Sequence, residues 1–421
     1  MVKTRLLASA SKWHLACLST LYVSQGLPAG FLGLALTTYL AAKGATVGEI
    51  STLLSITMIP WTIKFLLGPL VDSFSFLKFG RRRFWILLSQ SMMIVSLIPL
   101  LFISTDSFSM PLAFILMTHN FFTAFQDIST DALAADSLEE KDLGLANGLM
   151  WGSKVFSRGL GMAIATAIFF AYGVSAGIIL LMILMLMLML MPFLSKELPY
   201  KVGSKEIAFL SNINFRGTLK ESMKGFSSSK AIWAVLFMLI ANVGYGVFDV
   251  IYNKYFIEEL KWTGEMIGLA RPWGFWLGGV MGLVAGFLSF YISKRTLLYV
   301  FISAEASIFL LLGIFESQIT NLTGYSFLIG LEIFDAGMAV IVFSILMSLC
   351  TTKASATMFG IFMGVSNIST LIGSKSAPMI LSMFDYSGAF TICGLSLLPC
   401  LLIVHLMTKS KNQENNIIQY T

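Results

Sequence analysis

Three aspartates, Asp127, Asp131 and Asp136, fall in the stretch Phe125–Asp136, at the end of an apolar run that begins near Pro111 and is long enough to cross a bilayer. A charged side chain near a bilayer centre costs about 2.5–3.5 kcal/mol on insertion scales, so such groups face a bundle interior or a water-filled path and mark routes for ions or substrates. Asp127 and Asp131 are four residues apart and share a helix face. So do Lys154 and Arg158 on the next apolar segment, and the short acidic connection Glu139–Asp142 makes the two helices antiparallel neighbours. Counted from that connection at about 1.5 Å per residue, Asp127 and Lys154 each lie roughly 16 Å inward. They are expected to pair, either as packing charges that satisfy each other or as groups that handle substrate and protons. Asp131 and Asp136, nearer the helix end, are expected as gate or packing residues. Arg158 has no acid at its level and is suited to grip an anion.

A second set of charges follows. Asp249 and Lys254 lie in one apolar segment, Arg271 stands just before Pro272 in the next, Glu332 and Asp335 are three apart in another, and Lys375 lies further on. A carboxyl in a desolvated cavity holds a proton until a cation approaches, which is the chemistry of a proton-coupled carrier. Glu305 stands alone in its segment, with no role assigned by the sequence. His119, beside Asn120, is a titratable imidazole more in keeping with a hydrogen-bonded packing group.

These charges must be carried by membrane helices. The chain has 421 residues, 57% hydrophobic and 12% charged, with a mean hydropathy of +0.82, far from a soluble domain. Apolar runs of about 20 residues recur, the length that spans a hydrocarbon core of about 30 Å. Twelve spans are expected, at roughly 12–41, 47–72, 84–104, 109–137, 143–172, 175–195, 230–257, 263–291, 296–315, 320–350, 355–382 and 386–408. The first has no small-residue cleavage site and reads as an uncleaved helix. The Met-rich run Leu181–Met191 reads as a lipid-facing or packing span.

With both termini on the cytoplasmic side, twenty of the 28 Lys and Arg residues fall in cytoplasmic segments and only Lys43 and Lys261 in outward loops. This asymmetry is the basis for the expected topology. The net charge of +6 is therefore a topology signal and implies no nucleic-acid partner. Residues 196–229 form the longest polar interruption, so the expected organisation is a six-helix half over 1–195, a cytoplasmic linker over 196–229, a second half over 230–408 and a tail over 409–421. Two six-helix halves with substrate held between them are the layout of an alternating-access carrier.

There is no GxxxxGK[ST] phosphate loop and no HExxH or GxSxG pattern, so neither an ATPase nor a hydrolase is indicated. An ion gradient is the expected energy source, with no cofactor. Cys17, Cys350, Cys393 and Cys400 sit in apolar segments without a CxxC pair and suggest neither metal nor redox chemistry. A non-transporting scaffold would have no reason to bear the cost of charges at mid-membrane.

The loop Gly68-Pro69-Leu70-Val71-Asp72 followed by Gly80-Arg81-Arg82-Arg83 resembles the loop motif of the major facilitator superfamily, with Gly68, Asp72, Arg81 and Arg82 as its gating residues. Ser24-Gln25-Gly26-Leu27-Pro28, Pro60-Trp61-Thr62-Ile63-Lys64-Phe65, Phe125-Gln126-Asp127 through Asp136 with Gly148, Gly337-Met338, Leu346–Cys350 and Ser355-Ala356-Thr357 together resemble the AmpG-type permeases. That resemblance implies an inner-membrane importer of peptidoglycan-derived muropeptides, driven by protons and working as a monomer. It also extends to the RhtX/FptX-type importers of ferric siderophores and, more distantly, to acetyl-CoA transporters, so another large anionic metabolite is the alternative cargo. On this reading Asp127, Glu332 and Asp335 answer to protons. Gln126, Lys154, Arg158 and Arg271 contact the substrate, and Asp131 and Asp136 join the gating set.

Overall fold

The computed structural model describes residues 12–67, 71, 80, 82–137, 140–195, 226, 228–289, 291–349 and 355–408. The long helical segments among the described residues are numbered in chain order. They are α1 (Lys12–Ala42), α2 (Val47–Ile63), α3 (Arg83–Val95), α4 (Met110–Ser137), α5 (Glu140–Tyr172) and α6 (Val174–Leu194). There follow α7 (Ser229–Glu258), α8 (Gly264–Leu288), α9 (Lys294–Ile314) and α10 (Asn321–Leu349). The last stretch, Ser355–Thr408, is broken at Asp385, which has φ 53° and ψ −167°, giving α11 (355–384) and α12 (386–408). Gly68, Asp72 and Arg81 of the loop motif, most of the linker and the tail lie outside the described residues, as does the side chain of Asp136.

Among the described residues, eight stretches are long and apolar enough to cross a membrane. They are α1, α3 with the turn to Leu101, most of α5, α6, α7, α9, most of α10, and Met358–Met407, which runs through α11 and α12. Helix starts follow local chemistry. Thr46 and Glu49 form a reciprocal capping box at α2, and Ser228, Thr263 and Ser293 accept backbone N–H bonds at α7, α8 and α9. Each cap satisfies an N–H that would otherwise lack a partner and contributes about 1 kcal/mol. On α6 the residues Ile179, Ile183, Leu186, Met187 and Leu190 are exposed while Leu181 and Met185 are buried. The Met-rich run thus presents an apolar row outward and packs with the rest.

Helix pairing repeats at an offset of six. α1 packs on α5 as α7 packs on α11, α2 on α4 as α8 on α10, and α3 on α6 as α9 on α12. The two sets meet along α2–α11 and α5–α8. In lipid, where apolar area gives little net drive between helices, close backbone approach and interhelical hydrogen bonds do that work. A Cβ on Gly30 would stand 2.2 Å from the Arg158 carbonyl oxygen, and one on Gly246 2.4 Å from that of Thr370. Between the sets, Ser51 donates to the Ser374 carbonyl at 2.5 Å and Asn367 to that of Trp61 at 2.8 Å. Thr38 near the end of α1 donates to Asn253 of α7 at 2.9 Å.

Gly30→Ala is expected to lower stability in detergent by about 1–3 kcal/mol, because the α1–α5 backbones must part to admit the methyl group. Gly33→Ala meets nothing within 4 Å and should leave the melting temperature unchanged or slightly higher. Thermal unfolding of the two purified variants compares them directly.

Candidate functional site

Two charged clusters are present, one in each helix set. In the first, Asp127 of α4 is 3% exposed. It accepts a hydrogen bond from Lys64 at 2.7 Å and another from Lys154 at 3.5 Å. The expected Asp127–Lys154 contact is present, but the shorter ion pair comes from Lys64. That residue sits in the tight 3-10 turn Lys64–Leu66 that ends α2. One turn along α4, Asp131 is exposed and accepts a short hydrogen bond from Tyr22 of α1. Two lysines thus face two aspartates.

Aromatic rings border the lysines. The Lys154 ammonium lies 5.1 Å from the ring of Trp61 and 5.5 Å from those of Tyr22 and Trp151, while Lys64 lies 5.3 Å from Trp61. Ring faces attract a cation and orient it without neutralising its charge. Gln126 is turned elsewhere. It is fully buried and donates to the Leu21 carbonyl at 3.1 Å and to Ser24 at 3.2 Å. Gln90 of α3 donates to the same Ser24 oxygen at 3.0 Å, so these amides tie α1, α3 and α4 together.

The second cluster is built on Arg271 of α8, which is 0% exposed. Its Nη2 donates to Asp249 at 2.5 Å, to Glu332 at 3.2 Å and to the Tyr245 hydroxyl at 3.3 Å, and its Nε donates to Glu332 at 3.2 Å. Tyr245 donates to the same Glu332 oxygen at 2.7 Å. The guanidinium carbon lies 4.0 Å from the ring centre of Tyr252 and 5.6 Å from that of Phe275. Its Nη1 has no hydrogen-bond partner. A buried arginine is tolerable only when carboxylates and ring faces replace the water it has lost.

Arg158 of α5 joins the two sets. Its guanidinium stacks at 4.7 Å on the same Phe275 ring, its Nε has no partner, and its charge acts on Asp335. Two arginines, one from each set, therefore share Phe275 at the α5–α8 junction. Glycines allow this approach, since a Cβ on Gly159 would stand 2.8 Å from the indole nitrogen of Trp276 and one on Gly268 2.2 Å from Thr166. Asp335, half-buried, is also near Glu332 and Asp249.

Other candidate residues are placed apart from these clusters. His119 is buried with Nδ1 at 3.0 Å from the Met93 carbonyl and 3.3 Å from Ser96. Arg82 is buried and donates to the Val71 carbonyl at 3.2 Å. Lys375 is exposed on α11. Lys254 pairs with Glu258 at 2.7 Å, and Tyr386 donates to Glu258 at 3.0 Å. In the loop after α9, burial and the nearby Glu259 and Asp385 push the Glu316 carboxyl above the usual carboxylate range. Among the described residues no group of three or more His, Cys, Asp or Glu side chains has the geometry of a metal site.

Lys64, Tyr22 and Tyr245 were not singled out by sequence reasoning. A lysine before the end of an apolar span was the available signal for Lys64. Nothing in the spacing marks the tyrosines, whose roles depend on which helices meet.

Comparison with known proteins gives this arrangement a family. The sequence model of the Major Facilitator Superfamily matches residues 17–374. "Putative transporter AmpG 1" of Rickettsia bellii is 26% identical over 419 residues, covering 92% of this chain and 97% of the relative. "Putative transporter AmpG 4" of Rickettsia felis is 22% identical over 404 residues, covering 93% and 95%. The crystal structure of the nucleoside transporter NupG superposes with a TM-score of 0.69 at 12% identity, covering 94% of this chain and all of that one, and so shares its fold. Together the helix pairing, the buried charges and these likenesses establish that the chain belongs to the Major Facilitator Superfamily, as a multi-pass inner-membrane permease similar to the AmpG-named transporters.

Proposed function

We propose that this permease imports peptidoglycan-derived muropeptides by proton symport, as a monomer of twelve spans with both termini cytoplasmic. In this reading residues 1–195 and 230–408 are the rocking halves, 196–229 is the linker between them and 409–421 is a cytoplasmic tail. The observation that carries the cargo assignment is the lysine pair Lys64 and Lys154 on one aspartate, edged by Trp61, Trp151 and Tyr22. Muropeptides combine carboxylates, which two ammonium groups can hold, with pyranose rings whose apolar faces stack on indole. A few convergent charged groups in an aromatic surround are what a small-molecule site requires.

Asp127 is the counter-ion in the empty carrier, and a proton on it releases both lysines to a substrate carboxylate. Glu332 and Asp335 are the acids of the other half. A proton on Glu332 frees Arg271 from one of its two carboxylates, and Arg158 and Arg271 then present cationic edges across Phe275. Alternating access requires the Thr38–Asn253 contact at one end and the Trp151–Phe343 stack, 5.6 Å between ring centres, at the other to part in turn. Gating is assigned to Asp131 and Asp136 with the loop residues Gly68, Asp72, Arg81 and Arg82. The lysine pair alone reads charge and not sugar, so a ferric siderophore or another large anion is the second reading.

Proteoliposomes with an inward proton gradient are expected to accumulate labelled anhydromuropeptide, and an uncoupler should abolish the accumulation. No accumulation by folded protein overturns the cargo assignment and moves the test to purified ferric siderophore. Lys154→Gln is expected to raise KM about 10- to 100-fold, the loss of a charged hydrogen bond worth about 1.5–3 kcal/mol. Trp61→Ala should weaken muropeptide uptake but leave a purely anion-selective carrier little changed. Asp127→Asn, which mimics the protonated acid, should lose gradient-driven accumulation and keep substrate exchange; accumulation at the normal rate would exclude the proton role of Asp127.

A further inference from the structure

Glu305 lies in the middle of α9 and is 1% exposed. Among the described residues its Oε2 has no hydrogen-bond partner. No lysine or arginine pairs with it among the described residues. The titratable groups near enough to act on its charge are Asp335 and Glu332 of α10 and the Cys400 thiol of α12. The register of the antiparallel pair α9–α10 explains this. A Cβ on Gly337 would stand 2.6 Å from the Phe301 ring, and one on Gly330 3.0 Å from Ile308. Interpolating between these contacts sets Glu305 level with residue 333, between the two acids.

The charges around Arg271 and Glu305 do not balance if every acid is ionised. Asp249, Glu332, Asp335 and Glu305 stand against Arg271 and the visiting Arg158, which leaves two negative charges uncompensated. Arg271 is shared by Asp249 and Glu332 and offsets one of them, while Arg158 acts on Asp335, so Glu305 is the acid left with no cation of its own. An unpaired carboxylate away from water binds a proton in preference to remaining charged.

We propose that Glu305 is a proton-carrying residue of the transport site, exchanging its proton with Asp335 as Arg158 approaches and withdraws. The proposal rests on the proton-symport reading given above. In the exchange the O–H bond of the Glu305 carboxyl breaks and one forms on the Asp335 carboxylate, the negative charge moving the opposite way. The transfer requires the two carboxyls to come within hydrogen-bond reach of each other. When Arg158 withdraws with its half, Asp335 loses its nearest mobile cation and takes the proton. When Arg158 returns, Asp335 releases it. Glu305 stores the proton out of reach of water between these two states.

The test is independent of cargo in its first arm. Infrared spectra of reconstituted protein without substrate, in buffers of rising pH, should show a carboxylic acid C=O band that disappears with pH and is absent from Glu305→Gln. A band missing from Glu305→Gln but insensitive to pH in the parent protein would make Glu305 a permanently neutral packing group and overturn the proposal. In the second arm Glu305→Gln should lose uncoupler-sensitive accumulation of labelled anhydromuropeptide while keeping exchange of the same probe across the membrane. Full accumulation by this variant also overturns the proposal. A parent protein indifferent to the uncoupler would overturn the symport reading instead, with the infrared arm still reading Glu305. If Glu305→Gln does not insert stably, Glu305→Asp keeps the acid: a titrating band at a shifted frequency supports the proposal, and its absence overturns it.

Discussion

The Arg271 guanidinium, shut away from solvent and shared between Asp249 and Glu332, is the interaction on which the second half of the protein depends. A buried charge deprived of one partner is strongly destabilising, by about 3–5 kcal/mol. The helices that bring those partners, α7 and α10, must therefore stay beside α8 whatever else moves. Tyr245 and Tyr252 belong to the same demand, one as a hydrogen-bonding neighbour and the other as a ring face for a cation without water. The Asp127 cluster meets it more loosely, since two lysines share one fully enclosed acid and a second, exposed aspartate lies one turn away. A loose pairing suits a place where a substrate anion replaces the resident counter-ion. A tight one holds its helices together and loosens only when one of its carboxylates takes a proton.

The helices themselves were largely legible in the sequence. Apolar length and polar interruption located the starts of most segments to within a few residues, with ends at 72 and 104 expected where the described α-helices stop at Ile63 and Val95, and a break lies at Asp385. The second segment ends sooner as an α-helix than its apolar composition implies, at Ile63, because the chain tightens there into a 3-10 turn. That tightening rotates Lys64 toward Asp127. Depth counting along straight helices sees the level of Lys154 correctly and misses a side chain re-aimed by a local change of helix type.

Pairings within one helix or between sequence neighbours were readable in the same way, as with Asp127 and Lys154. Contacts that need the tertiary arrangement were not. Arg158 and Arg271 are 113 residues apart, and nothing in their spacing announces that one phenylalanine ring serves both. Glu305 was unreadable for the same reason, because its environment is made by the register of α9 against α10. Gln126 shows the converse: its place beside Asp127 in the chain put it on the substrate path, while 100° of helical rotation per residue turns its amide toward α1.

The first helix carries a feature whose consequence is architectural. Residues Ala29–Ala35, after Pro28, are wound as a π-helix, a form whose wider turn takes an additional residue. The stripe of α1 that begins at Gly26 and Gly30 against the backbone of α5 is therefore not continued along the same line. Past the wide turn, the side of the helix bearing Thr38 reaches Asn253 on α7. The tip of this one rod therefore serves both halves, with Tyr39 against Phe169 and Phe170 of α5 and Thr38 against α7, two faces brought to bear by the way it is wound.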